Sequence, residues 1–214
     1  MTFFVESGPI IGYCSYFEVV PSEDLSNDDL DPHAELGNKF FSEFTDNVSS
    51  NVVFDKDIPD FLNRRTKSIN LVIRRLLRKR IRPTDTSGLI ERDLMWVRKM
   101  YSKLNKNYYD SGKSVYTLRE ITAKFNVNLA FCKKNFFKEI VSTPLDNRIL
   151  SCLNYESVLH EKDKRIICHA LQYHNRIEEI EIVTCEKNWC VLTFEKLKWL
   201  KLPKITYLGN VNFI

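Results

Sequence analysis

The sequence predicts an α+β fold, with a helical centre over about residues 58–178 between β-rich N-terminal and C-terminal segments. Three observations predict it. The first 20 residues are apolar and rich in β-branched and aromatic side chains. Through the middle of the chain, apolar residues recur at helical spacing. Residues 177–214 return to short apolar runs punctuated by turn residues.

Phe3, Phe4 and Val5, then Ile10 to Val20, read as two short strands broken by Ser7-Gly8-Pro9. The acidic stretch Pro21 to Pro32 reads as an exposed loop. Residues 34–46 predict a short helix with Leu36, Phe40, Phe41 and Phe44 inward. Ile69, Val72, Ile73, Leu76 and Leu77 predict a helix over 60–81 that Pro83 stops. Ile90, Leu94, Val97, Tyr101 and Leu104 share one face of the next. A pair of helices follows at about 117–126 and 129–142, ended by Pro144, and another helix at 163–178. Ile177 to Thr184 and Trp189 to Phe194 read as strands around Glu186-Lys187-Asn188, and a final pair meets near Gly209-Asn210. Three segments result: an acidic 1–57, a basic helical 58–143, and 144–214 with a helix and a β-hairpin. They make one domain if the terminal strands pair with each other.

Charge is distributed unevenly. Residues 1–60 carry 13 acidic and 2 basic residues, a net of −11, and residues 61–214 carry 30 basic and 15 acidic, a net of +15; together they give +4. Such asymmetry points to a basic surface for an anionic partner, with an acidic segment placed to guard it. Several function classes are disfavoured. Six glycines are about 3% of the chain against a usual ~7%, and no phosphate-cradling or nucleophile-elbow motif is present. No cofactor, small-molecule substrate or enzymatic activity is therefore expected. No stretch has the length of a membrane span, and Met1 to Glu6 lacks the basic start of a signal peptide. A nuclear or cytoplasmic, non-secreted protein with reduced cysteines is the expectation.

Arg64, Arg65, Lys67, Arg74, Arg75, Arg78, Lys79, Arg80 and Arg82 are nine cations in 19 residues with no acid among them. Cations this dense repel one another along a helix. A polyphosphate neutralises them and releases counterions. The run reads as a phosphate-contacting helix; a nuclear localisation signal, a solvated face and pairing with acidic protein remain alternatives.

Residues 117–140, Thr117-Leu118-Arg119-Glu120-Ile121 through Asn126-Val127-Asn128 to Ile140, resemble the helix-turn-helix of bacterial regulators and of the cyclin-like repeats of general transcription factors. Ile121, Phe125, Val127, Cys132 and Phe136 take its buried positions, and Asn126 stands where the turn glycine usually sits. The resemblance implies DNA contact by a second helix presenting Asn128, Lys133, Lys134 and Lys138.

Cys152, His160, Cys168, His169, His174, Cys185 and Cys190 cluster within 39 residues. No C-x2-C knuckle is present, so core cysteines and surface histidines are expected rather than a metal site.

Glu35-Leu36-Gly37-Asn38-Lys39, Leu62-Asn63-Arg64-Arg65 with Arg75 to Arg80, and Leu202-Pro203 through Gly209 to Ile214 resemble, in order, segments of the small helical subunits of the GINS replication complex. That resemblance implies a structural replisome component with a small C-terminal β-domain. It leaves about residues 112–176 without a counterpart. The expected function is a non-enzymatic nucleic-acid-associated factor in transcription or DNA replication, with DNA or RNA as partner. The alternative is a structural subunit of a viral or replicative assembly whose basic helix meets an acidic protein.

Overall fold

The computed structural model describes residues 2–46, 52–77, 91–105, 111–137, 139–141 and 143–210. The described residues form a mixed helix-and-strand fold of five strands and eight α-helices. In chain order these are β1 (Thr2–Val5), α1 (Ser7–Ser15), α2 (Asn27–Leu30), α3 (Ala34–Asp46), β2 (Val52–Asp55), α4 (Asp57–Leu77), α5 (Glu91–Asn105), α6 (Ser111–Asn135), β3 (Glu139–Val141), α7 (Asn147–Leu153), α8 (Glu161–Arg176), β4 (Ile180–Thr184) and β5 (Lys204–Tyr207). The strands form one sheet in the order β3-β2-β1-β4-β5, and every pairing is parallel. The α+β expectation holds, and the N-terminal and C-terminal strands meet in the middle of that sheet, Phe4 beside both Val53 and Ile182.

A parallel sheet needs helices on both faces, and its strands read as continuous apolar runs. Every residue of β2 and β4 is buried. Phe4, Val53 and Ile182 enter one core with Leu153, Ile166, Ile167, Leu171 and Trp189, beneath α7 and α8. Val5, Val52, Phe54 and Val183 point the other way, into a core with α1, α3, α4 and α6. A third cluster lies beyond the second and joins Leu25 and Leu30 to Ile69, Ile73, Met100, Leu104, Leu118 and Ile121.

Four expectations change. Ser7-Gly8-Pro9 opens α1 rather than a turn. Glu6 caps that helix by accepting from the Gly8 amide, and Pro9 sits in the first turn, where its missing N–H is an orphan anyway. The helix-turn-helix is a single helix. Leu118, Ile121, Phe125, Leu129 and Cys132 are all buried in α6, so one apolar stripe runs straight through the expected turn. Asn126 is helical, and Val127, expected inside, is 65% exposed. The C-terminal hairpin is absent: β4 and β5 run parallel, and Lys187–Val191 forms a 3-10 turn. Residues 204–207 consequently join the main sheet as β5 instead of a separate β-domain.

The acidic loop is not free. Ser26 and Asp29 cap α2 reciprocally, Leu25 and Leu30 are buried, and Asp29 pairs with Lys103 of α5. Residues 1–57 contribute the central strand and its neighbour, so they are integral to the sheet rather than an appendage.

Candidate functional site at the carboxyl edge of the sheet

In this strand order the chain leaves β1 toward β2 on one side, while β4 lies on the other. A parallel sheet opens a crevice outside the carboxyl ends of its strands at such a point. Glu6 follows β1 directly, and Thr184, Cys185 and Glu186 end or follow β4.

Glu6 is 4% exposed. Its Oε2 accepts from the Gly8 amide at 2.6 Å and from Ser7 Oγ at 3.3 Å. Its Oε1 accepts from the Cys185 amide at 3.2 Å and from Thr184 Oγ1 at 3.4 Å. One carboxyl group thus ties the start of α1 to the end of β4. Burial pushes its pKa up to about 7 against the stabilising amide bonds, and Glu186 adds to the rise.

The first turn of α8 approaches the same place. Asp163 is also raised, chiefly by burial, with Glu186 acting in the same direction while the His160 backbone and Lys162 act against it. Lys162 donates to Ser7 Oγ at 3.4 Å and lies 3.7 Å from the centroid of the Phe61 ring. Arg165 reaches Asp57 at 3.7 Å. At the end of β2, Asp55 is buried, accepts from the Asp57 amide at 2.7 Å, and pairs with buried His169. The His169 ring meets the Thr143 carbonyl with its other nitrogen at 2.9 Å. The carboxyl edge therefore gathers Glu6, Asp163 and Glu186, with Lys162 and Arg165 among them. Among the described residues no group of three or more ligating side chains is close enough to hold a metal ion.

The basic helix starts at this edge. α4 begins two residues after β2, and its first turns line an open cleft of about 340 Å³ formed by Asp57, Asp60, Asn63, Arg64 and Lys67. At 100° per residue, Asp60, Asn63, Arg64, Lys67 and Arg74 fall within roughly a third of the helix circumference. Arg64, Lys67 and Arg74 are exposed there. Arg65 departs from expectation: it is buried, its guanidinium 5.9 Å from the Phe125 ring centroid, because its position faces α6. Arg75 lies in α4, and Arg78, Lys79, Arg80 and Arg82 lie outside the described residues.

The residues expected on a second recognition helix separate. Asn128 donates to the Tyr13 carbonyl at 3.3 Å, and Lys133 contacts Asn63 across the α4–α6 interface. Lys134 is exposed, and Lys138 lies outside the described residues. The Cys/His cluster is also dispersed, and two of its histidines, expected on the surface, are buried: His169 against Asp55, and His174 where it accepts from the Ile180 amide at 3.0 Å. Cys168 lies 3.4 Å from Gln172 Oε1, Cys185 is buried and Cys190 is exposed.

Glu6, Asp163 and Glu186 were not singled out from the sequence. A signal exists: the apolar run Phe3–Val5 and the mainly β-branched run Ile180-Glu181-Ile182-Val183 are each followed within three residues by an acid, Glu6 and Glu186. No helix among the described residues is long and apolar enough to cross a membrane. No protein-family model, curated protein or solved structure matches the chain.

Proposed function

We propose that this protein associates with nucleic acid along the outer face of α4, with phosphates held where that helix leaves the carboxyl edge of the sheet. The observation that carries the reading is the placement of exposed Arg64, Lys67 and Arg74 on one face of a helix whose first turns line the open cleft. The remaining cations of the run, Arg78 to Arg82, continue the same chain segment. The test is fluorescence anisotropy with labelled duplex and single-stranded oligonucleotides across about 50 to 200 mM salt. Each lost phosphate contact lowers the slope of log K against log salt by roughly 0.7 to 0.9. An Arg64→Gln/Lys67→Gln/Arg74→Gln variant is expected to bind more weakly and with a shallower slope; an unchanged slope refutes the assignment.

A second reading is catalytic, and Glu6 favours it. A carboxyl group with its pKa near 7 is matched to proton transfer at neutral pH, and it sits at the switch point of a parallel sheet, where the Glu186 charge acts on both it and Asp163. In phosphodiester hydrolysis there, water would attack phosphorus, a carboxylate would accept its proton, and the departing oxygen would take a proton from solvent. Incubating a labelled oligonucleotide with the full chain, with Mg²⁺ or with chelator, tests it. Cleavage abolished by Glu6→Gln supports the reading, and an intact oligonucleotide in every arm rejects it.

A further inference from the structure

We propose that the surface carrying Tyr155 and Trp199 is a base-stacking platform for single-stranded nucleic acid, separate from the phosphate contacts of α4 but resting on the same nucleic-acid reading. Tyr155 is 73% exposed and Trp199 is 55% exposed. Each ring already has a cation near it: Lys196 Nζ lies 5.3 Å from the Tyr155 centroid, and Arg148 Cζ lies 5.6 Å from that of Trp199. The two rings border the same short segment, because Trp199 Nε1 donates to the Lys196 carbonyl at 3.2 Å.

The platform is held rigidly from beneath. Phe194 and Leu197 are buried in the core under α7 and α8. The Phe194 amide donates to Glu156 Oε1 at 2.9 Å, which fixes the 3-10 turn Glu195–Leu197, capped by Phe194, against the loop bearing Tyr155. An exposed aromatic that a fixed scaffold presents loses little conformational freedom when a base covers it.

Charge selects the occupant. Residues 187–204 hold five lysines and one glutamate. Lys201 and Lys204 pair with Glu179 and Glu181, and Arg148 and Arg176 share the single carboxylate of Asp146. Lys196 and Lys198 are exposed and make no ion pair among the described residues. Aromatic faces interleaved with cations suit a chain of stacked bases on a phosphate backbone. Every base offers a π-face, so the platform is expected to be tolerant of sequence. A duplex hides its bases and stacks on neither ring.

The experiment uses the full chain and a fluorescein-labelled oligothymidylate of roughly 16 nucleotides, against a duplex of equal length. Tyr155→Ala and Trp199→Ala are each expected to weaken single-strand binding by roughly 5- to 150-fold, with the salt slope unchanged and duplex binding unaffected. Trp199→Phe is expected to recover most of the loss. Both side chains are more than half exposed, so thermal melts should stay superimposable with the wild type. If the wild type binds and the α4 triple variant lowers the salt slope while Trp199→Ala binds normally, the platform is wrong and the α4 reading stands. Equal effects on duplex and single strand also overturn stacking. Loss of polyglutamate binding in Trp199→Ala, with oligonucleotide binding intact, overturns it in favour of an acidic protein partner. No binding by the wild type at about 50 mM salt removes both readings.

Discussion

Glu6→Gln should change how the stability of this protein depends on pH. In the unfolded chain the carboxyl group titrates at its ordinary value of 4.5, and in the fold burial pushes it up to about 7. A raised carboxyl pKa means that the folded state holds the proton more tightly. Its contribution is fully present below pH 4.5 and is lost as pH rises toward and through 7, because the unfolded state ionises first. The gap between 4.5 and about 7, at about 1.36 kcal/mol per pH unit, is worth about 3 kcal/mol. The amide bonds from Gly8 and Cys185 already work against the rise, so this is the net effect. Glutamine cannot ionise. Its NH₂, however, must face one of two donors, the Gly8 amide or the Cys185 amide, at a cost of about 1–3 kcal/mol that is constant with pH. Urea titrations of wild type and Glu6→Gln between pH 5 and 8 separate the two effects, since only the first varies with pH. The wild type should lose stability relative to the variant by about 1.4 kcal/mol per pH unit within the window from 4.5 to 7. Parallel pH profiles for the two proteins would refute the reasoning.

Two further substitutions probe the packing. Gly37→Ala should destabilise by about 1–3 kcal/mol in a chemical melt. A Cβ there would lie 2.3 Å from the Pro9 carbonyl oxygen and 2.5 Å from the Tyr13 nitrogen, which are backbone atoms of α1 with nowhere to go; an unchanged midpoint would show that α1 and α3 do not cross so closely. Asn126→Ala discriminates between a continuous α6 and a helix-turn-helix by its sign. Inside a helix alanine gains roughly half a kcal/mol over asparagine, whereas at a left-handed turn it costs about 1 kcal/mol, so a lowered melting temperature would restore the turn.

The sequence was legible where one period ran for several turns. α3, α4, α5 and α8 were foreseen because residues such as Ile69 and Ile73, or Ile166, Ala170 and Leu171, mark a buried stripe over more than three turns. β1 was legible as an apolar run and β4 as a β-branched one, despite Glu181 within it. β2 and β3 were not: Val52–Asp55 follows a long acidic segment, and Glu139–Val141 is three residues long. Parallel pairing was hidden for a different reason. Glu186-Lys187-Asn188 has the composition of a hairpin turn, but residues 185–203 separate β4 from β5, and that distance suits a crossover. The candidate site stayed hidden because its members lie far apart in sequence. Glu6, Asp163 and Glu186 meet only once β1 and β4 are neighbours, and the neighbouring of sequence-distant strands is not written in any local pattern.

The change of charge sign near residue 60 acquires a structural meaning here. It does not separate an acidic arm from a basic body, since the acidic part builds β1, β2 and the loop buried against α4. The boundary falls inside a single helix. Asp57 and Asp60 occupy the first turn of α4, where the helix dipole favours carboxylates, and the cations begin one turn later at Arg64. The acids that sequence counting assigned to a guard are therefore divided among distinct tasks. Glu6, Asp31 and Asp55 are buried, Asp29 holds Lys103, and Asp57 holds Arg165. Asp57 and Asp60 both line the cleft with Arg64 and Lys67, but Asp57 is engaged by Arg165, so Asp60 is the carboxylate placed to weaken phosphate binding there. Removing residues 1–57 would delete two strands of the sheet and could not test a guard. Asp60→Asn can, because it leaves the fold intact while taking one negative charge from the cleft: tighter oligonucleotide binding at low salt, with the gain fading as salt screens it, is the outcome that local competition requires.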